Sequence, residues 1–189
     1  MIDPYANSLE IQLPNWLSEY RASYQISESL SERMKFVIAA SQRNINKDTG
    51  GPFAAGVFET ESGKLISLGV NLVTSQGLSI LHAEILAISL AQQQLGSYEL
   101  AKSEHRLELL TSTEPCAMCL GAIPWSGIHR VVCAATGKDA EAIGFDEGDK
   151  PNAWKAGLEK RKIEVITEVC RDEAKAVLNS YANKNGHIY

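Results

Sequence analysis

The stretch Leu110 to Gly127, LTSTEPCAMCLGAIPWSG, sets two cysteines three apart directly behind a proline, where a strand gives way to a helix. Upstream, RLELLTS around Leu109 has the composition of a short strand, and downstream HRVVCAAT is rich in β-branched residues, as is KIEVITEVC after it. Between them Pro115 suits the first turn of a helix running to about Trp125, because an N-terminal position needs no backbone donor. Working outward, Leu30, Met34, Val37, Ile38 and Ser41 recur at helical spacing within 27–46, behind capping serines. The runs 54–59 and 64–70, joined by a turn at Gly63, read as a β-hairpin. HAEILAISLAQQQLG carries a helical stripe and closes at Gly96, a natural C-cap. A last helix spans 171 to about 183. The order α-β-β-α-β-α-β, then a loop or short helix, then β-α, predicts an α/β/α sandwich whose largely parallel sheet is covered on both faces.

The rest of the chain limits what this fold can do. Its 189 residues are 44% hydrophobic and 22% charged, enough for one globular domain with a proper core, expected to span 1–189. Residues 1 to about 26, with Pro4, Tyr5, Pro14, Trp16, Tyr20 and Tyr24, read as an N-terminal arm packed on that core. The opening MIDPYANSLEIQLPNWLSEY has no basic start and interrupts its apolar residues with Pro, Asn, Ser and Glu, so a soluble, cytoplasmic protein without a membrane partner is expected. Eighteen Lys and Arg against 23 Asp and Glu leave a net charge of -5, with no basic run longer than EKRKIE. Nucleic-acid backbones need clustered positive charge, and a small uncharged substrate is easier to reconcile with this balance. In a reducing compartment Cys116, Cys119, Cys133 and Cys170 stay thiols, so a close pair points to metal or redox chemistry.

Two helix starts then matter together: HAE at His82 to Glu84 and PCAMC at Pro115 to Cys119. In a parallel sheet such helices present their N-termini to one crevice. Cys116 and Cys119 on one turn can grip a single metal, and a helix N-terminus favours the thiolate that metals bind. With His82 they make a donor set suited to Zn2+ with a vacant fourth corner, the pattern of catalytic zinc. Zinc makes hydroxide available at neutral pH, and Glu84, two residues past His82, is placed to move its proton. A proline-led C-x-x-C together with an H-x-E is roughly a one-in-a-thousand coincidence of composition. The competing readings are a redox or buried cysteine pair, and a structural zinc completed by Cys133 or Cys170. A zinc-stabilised interaction module is the non-enzymatic alternative. His105, His129 and His187 read as surface or packing residues.

At these residues the sequence resembles the zinc nucleobase deaminases of the cytidine deaminase superfamily, whose signature is H-x-E followed by P-C-x-x-C. The resemblance runs from about Ser31 to the C-terminus and implies an α/β/α fold with a five-stranded mixed sheet. GGPFAAG, NLVTSQ, HAEILAI, TEPCAMCLGAIPWSGI and AIGFDE look most like the guanine deaminases of this fold, which convert guanine to xanthine and ammonia. It implies His82, Cys116 and Cys119 as zinc ligands and Glu84 as proton shuttle. Phe53 and Trp125 would flank the purine, Asn71 would hydrogen-bond its ring, and Ala83 counts among the substrate contacts. A second shuttle falls on Glu147, with Asp146 as fallback. The resemblance further implies a homodimer exchanging C-terminal segments, here the tail 184–189, with Tyr189 lidding the partner's site. The remaining enzymatic alternatives are a tRNA adenosine deaminase and a deaminase of cytosine or a related pyrimidine or triazine amine.

Overall fold

The computed structural model describes residues 8–189, so Pro4 and Tyr5 of the expected arm lie outside the described residues. In chain order the elements are α1 (Asn15–Ala22), α2 (Leu30–Asn46), β1 (Ala54–Glu59), β2 (Leu65–Val70), α3 (Val73–Gln76), α4 (Ala83–Leu95), β3 (Leu107–Thr113), α5 (Ala117–Ser126), β4 (Arg130–Ala135), α6 (Gly137–Glu141), α7 (Trp154–Glu159), β5 (Glu164–Ile166) and α8 (Arg171–Asn183). The strands form one sheet in the order β2-β1-β3-β4-β5.

The sheet is five-stranded and mixed, as the resemblance implied, and not largely parallel as the order of elements alone suggested. β1 runs antiparallel to β2 and β3, whereas β3, β4 and β5 are mutually parallel. The reason is the hairpin: a tight turn at Gly63 can only return the chain antiparallel, while the helical crossovers after β3 and β4 deliver parallel neighbours. Side chains alternate across the sheet and fill two cores. Leu110, Val132 and Ala134 join Met34, Val37, Val177 and Leu178 on the face covered by α2 and α8. Leu107, Leu109, Val131 and Cys133 join Ala87, Ile88, Ile123 and Trp154 on the face covered by α4, α5 and α7.

Several boundaries shift for local reasons. α2 begins at Leu30 because the Ser29 hydroxyl accepts the Glu32 N–H at 3.4 Å. Pro115 stands outside α5, whose N-cap is Cys116, and Pro124 lies inside that helix. β5 is only three residues long, since Glu168 and Cys170 take left-handed φ values of 65° and 57° that turn the chain off the sheet edge. The described part of the chain ahead of α2 meets the core through a helix: Trp16 and Leu17 of α1 are buried, and the Trp16 indole donates to Thr49 Oγ1 at 3.0 Å. No helix among the described residues is long and apolar enough to cross a membrane.

Two packing features position the functional region. A Cβ placed on Gly69 of β2 would lie 2.5 Å from the Ala83 carbonyl and 2.6 Å from the Ala87 nitrogen. Only glycine therefore lets α4 lie with its backbone on the sheet, a contact fastened by the Ser67 hydroxyl donating to the Ala87 carbonyl at 2.6 Å. At the far edge, α6 opens with a reciprocal cap in which Thr136 Oγ1 accepts from the Asp139 N–H and the Asp139 carboxylate accepts from the Thr136 N–H. That carboxylate also accepts from Arg171 Nε at 2.8 Å and Nη2 at 3.2 Å, tying α6 to α8.

The Arg171 guanidinium, with the Thr136 donors, holds the Asp139 carboxyl below the usual carboxylate range against the opposing effect of burial. A depressed carboxyl stabilises the fold above the unfolded pKa and loses that contribution as pH falls through the folded value. Asp139→Asn is therefore expected to cost about 2 kcal/mol at pH 7, roughly 4–8 °C in Tm, the modest value reflecting a half-exposed Arg171. In thermal melts run at decreasing pH, the gap between wild type and variant should begin to narrow near pH 4 and keep narrowing as pH falls toward the depressed folded value.

Candidate metal centre and active site

β2 and β3 point the same way on either side of β1, so the chain leaves both at one end of the sheet. After β2 it crosses a loop containing α3 before entering α4, and after β3 it enters α5 through Glu114 and Pro115. The two helix starts therefore meet across β1, not at adjacent strands as the parallel-sheet reading implied. His82 is the N-cap of α4 and Cys116 the N-cap of α5, each in extended conformation, and Cys119 falls in the first turn of α5.

The donor atoms of His82, Cys116 and Cys119 all lie within 4.8 Å of one another. Cys116 Sγ sits 3.5 Å from His82 Nδ1. The hydrogen bond from the Cys119 thiol, with that from His82, lowers the Cys116 thiol to about 4 in spite of burial. The same shared hydrogen bond, reinforced by burial and by Glu84, keeps Cys119 protonated well above the usual thiol range. Burial would depress the His82 imidazole, yet Cys116 and the carboxylates of Glu84 and Glu147 outweigh it and leave it raised. Two sulfurs and an imidazole thus gather around a point where positive charge is in demand. A divalent cation with a preference for sulfur and nitrogen fits that donor set, and zinc is the metal it selects. Cys133 lies fully buried in β4 and Cys170 caps α8 against Ser31, so neither belongs to the cluster.

A small cavity opens beside these ligands, lined by Phe53, Asn71, His82, Glu84, Thr113, Glu114, Cys116, Phe145, Asp146, Glu147 and Tyr189. Glu84 is 6% exposed, and burial together with the negative charge at Cys116 raises its carboxyl to about 7. Glu147, 7% exposed, is likewise raised to about 7, chiefly by burial, against the opposing pull of Lys150. Its Oε2 has no hydrogen-bond partner among the described residues. Asp146, by contrast, is exposed and turns back so that its Oδ1 accepts the Gly148 N–H at 2.8 Å. The pair in GFDE is thereby divided: one carboxylate enters the cavity and the other caps a turn at its rim.

Asn71 is buried, its Oδ1 accepting from the Val73 N–H at 3.2 Å and its Nδ2 unpartnered among the described residues, a donor left free for a ligand. Asn44 pins this wall by donating to the carbonyls of both Gly51 and Asn71 at 2.9 Å. Phe53 packs edge-on against Phe145, with ring centroids 4.8 Å apart. Tyr189 lies over the cavity of its own chain, edge-on to Phe145, and burial raises its hydroxyl far above the usual phenol range. Gly51 makes room for that hydroxyl, which a Cβ there would meet at 2.2 Å.

Two expected contacts are not brought together. Ala83 is fully buried and is not among the lining residues. Trp125 is 83% exposed and faces a separate surface hollow with Pro124, Pro151 and Trp154. Ile123, two residues earlier, is fully buried, and a two-residue step turns a helical side chain through about 200°, so Trp125 points away from the core. Conversely, Glu114 and Phe145 line the cavity although the sequence singled out neither. Glu114 directly precedes the proline-cysteine pair and Phe145 precedes Asp146, so proximity to the motifs was the only available signal.

This fold and donor set define a zinc-binding α/β/α domain with buried carboxylates at the metal. Residues 27–135 match the cytidine and deoxycytidylate deaminase zinc-binding region, and the chain belongs to that family. The solved structure of the guanine deaminase from Nitrosomonas europaea is 46% identical, covers 93% of this chain and 97% of its own, and superposes with a TM-score of 0.89. The guanine deaminase of Bacillus subtilis strain 168 is 38% identical over 124 residues, 62% of this chain and 76% of that protein. A tRNA-specific adenosine deaminase of Buchnera aphidicola is 36% identical over 122 residues, 64% of this chain and 75% of its own.

The metal assignment is checked by elemental analysis. One zinc per chain is expected, and Cys119→Ser should weaken zinc binding by more than the 10–100-fold that loss of an outer-sphere partner alone costs. A variant retaining full zinc affinity would remove Cys119 from the ligand set.

Proposed function

We propose that the chain is a zinc-dependent hydrolase that deaminates free guanine to xanthine and ammonia. The observation that carries this reading is the convergence of two buried carboxylates, Glu84 and Glu147, with the unpartnered Asn71 amide on one cavity at the His82–Cys116–Cys119 cluster. The similarity to two guanine deaminases supports the substrate.

His82, Cys116 and Cys119 would hold the zinc, which when bound would supply a water activated for attack at neutral pH. Glu84, with a carboxyl poised near neutrality, takes a proton from the attacking water and delivers it to a ring nitrogen. Attack at the amine-bearing carbon converts the flat amidine into a tetrahedral centre. Glu147, equally buried, takes the remaining proton of that water from the new hydroxyl as it becomes the carbonyl and passes it to the departing amine, so that water and guanine leave as xanthine and ammonia. Asn71 donates to the ring and Phe53 lies against its face, while Tyr189 excludes bulk water. Asp146 takes no proton in this scheme, because it is exposed and occupied by the Gly148 N–H.

A small cavity and a net charge of -5 favour a free base over a nucleotide within tRNA, whose phosphates need a positive surface. We also assign the chain to the cytoplasm and to a homodimer. The exposed Trp125 beside Pro124, Pro151 and Trp154 supports the latter as apolar surface that a second copy would cover.

Ammonia release from guanine, adenine, cytosine, cytidine and a melamine-type triazine tests the substrate, with guanine expected to react fastest. Activity on cytidine without activity on guanine would contradict it. Glu84→Gln is expected to keep its zinc and to lose roughly 10²–10⁴-fold in turnover.

A further inference from the structure

We infer that Lys150 is a positioning residue for the deamination, holding the Glu147 carboxylate in the cavity through a cation shared with Glu114; this rests on the proposed role of Glu147. Lys150 does not line the cavity and does not meet the substrate. Its side chain is nonetheless only 13% exposed, unusual for a lysine, and its Nζ stands 3.7 Å from Glu147 Oε2 and 3.4 Å from Glu114 Oε2.

Each neighbour of that ammonium fixes its place. Glu114 Oε2 also accepts the Gly137 N–H at 3.1 Å, which anchors the carboxylate to the turn between β4 and α6. The Trp154 ring lies 5.5 Å from the ammonium and offers it a π face. Gly137 is the tightest point, for a Cβ there would come within 2.8 Å of Lys150 Nζ. The ammonium is thus seated by backbone, a carboxylate and an aromatic ring.

Glu147 depends on this seat. Its Oε2 is buried without a hydrogen-bond partner among the described residues, so the ammonium is the group that favours one orientation of the carboxylate over others. A proton carrier must reach the departing amine in one geometry, and losing that orientation reduces turnover while leaving the ring contacts of Asn71 and Phe53 in place. A lysine that merely anchored the loop 144–150 would move stability or substrate affinity instead.

The test is steady-state kinetics with guanine on zinc-loaded full-length Lys150→Met, Lys150→Gln and Lys150→Arg, each also combined with Glu147→Gln. We expect kcat to fall about tenfold in the Met and Gln variants with KM within about twofold of wild type, and the Arg variant to recover most of the loss. In the Glu147→Gln background, the Lys150 substitutions should add nothing. Unchanged kcat in both neutral variants, a change confined to KM, or a full additional loss in the Glu147→Gln background would overturn the inference while leaving the role of Glu147 intact. Wild-type turnover in Glu147→Gln alone would instead remove the role of Glu147, and the inference with it.

Discussion

Everything in this molecule that bears on chemistry depends on bringing one imidazole and two sulfurs to within 4.8 Å of each other at the starts of two helices. That proximity is unfavourable without a cation, since both cysteines cannot ionise side by side. The fold supplies the means to hold the groups there regardless. Gly69 lets α4 rest directly on β2, which sets His82 and Glu84, while the parallel crossover from β3 to β4 sets Cys116 and Cys119 at the head of α5. Positive helix ends face the cluster from both sides and complement its negative charge.

Around this centre the protein differentiates carboxylates by environment. Glu84 and Glu147 are buried and raised to about 7, where a proton can be gained or lost with little bias. Asp146, adjacent in sequence to Glu147, spends its oxygen on a turn. Glu114 shares a salt bridge with Lys150 and a backbone donor at Gly137. Four acidic residues near one cavity therefore divide into buried carboxyls raised toward neutrality and carboxylates tied into the scaffold, a distinction made by burial and partners.

The clustering of His82, Cys116 and Cys119 was legible in the sequence because its signals are local: a helix start, a three-residue cysteine spacing and a histidine two residues before a glutamate. The long elements were legible for a similar reason, as α2 and α8 carry sustained helical stripes and Gly96 closes α4 in the left-handed conformation expected of it. The short helices α3, α6 and α7, of four to six residues, have too few turns to display a period. The direction of β1 relative to β3 depended on pairing across a long loop, which alternation of elements does not encode. Trp125 went astray because an aromatic residue near a motif has no visible facing until the helical phase is known. Lys150 and Glu114 were unremarkable charged residues until folding set them beside Glu147.

X-ray absorption at the zinc edge of the purified protein tests this account most directly. It predicts two sulfur scatterers at about 2.3 Å, one imidazole nitrogen at about 2.0–2.1 Å and one further light oxygen scatterer that a substrate analogue perturbs. A metal enclosed by four protein side chains, or a spectrum indifferent to any purine ligand, would contradict it.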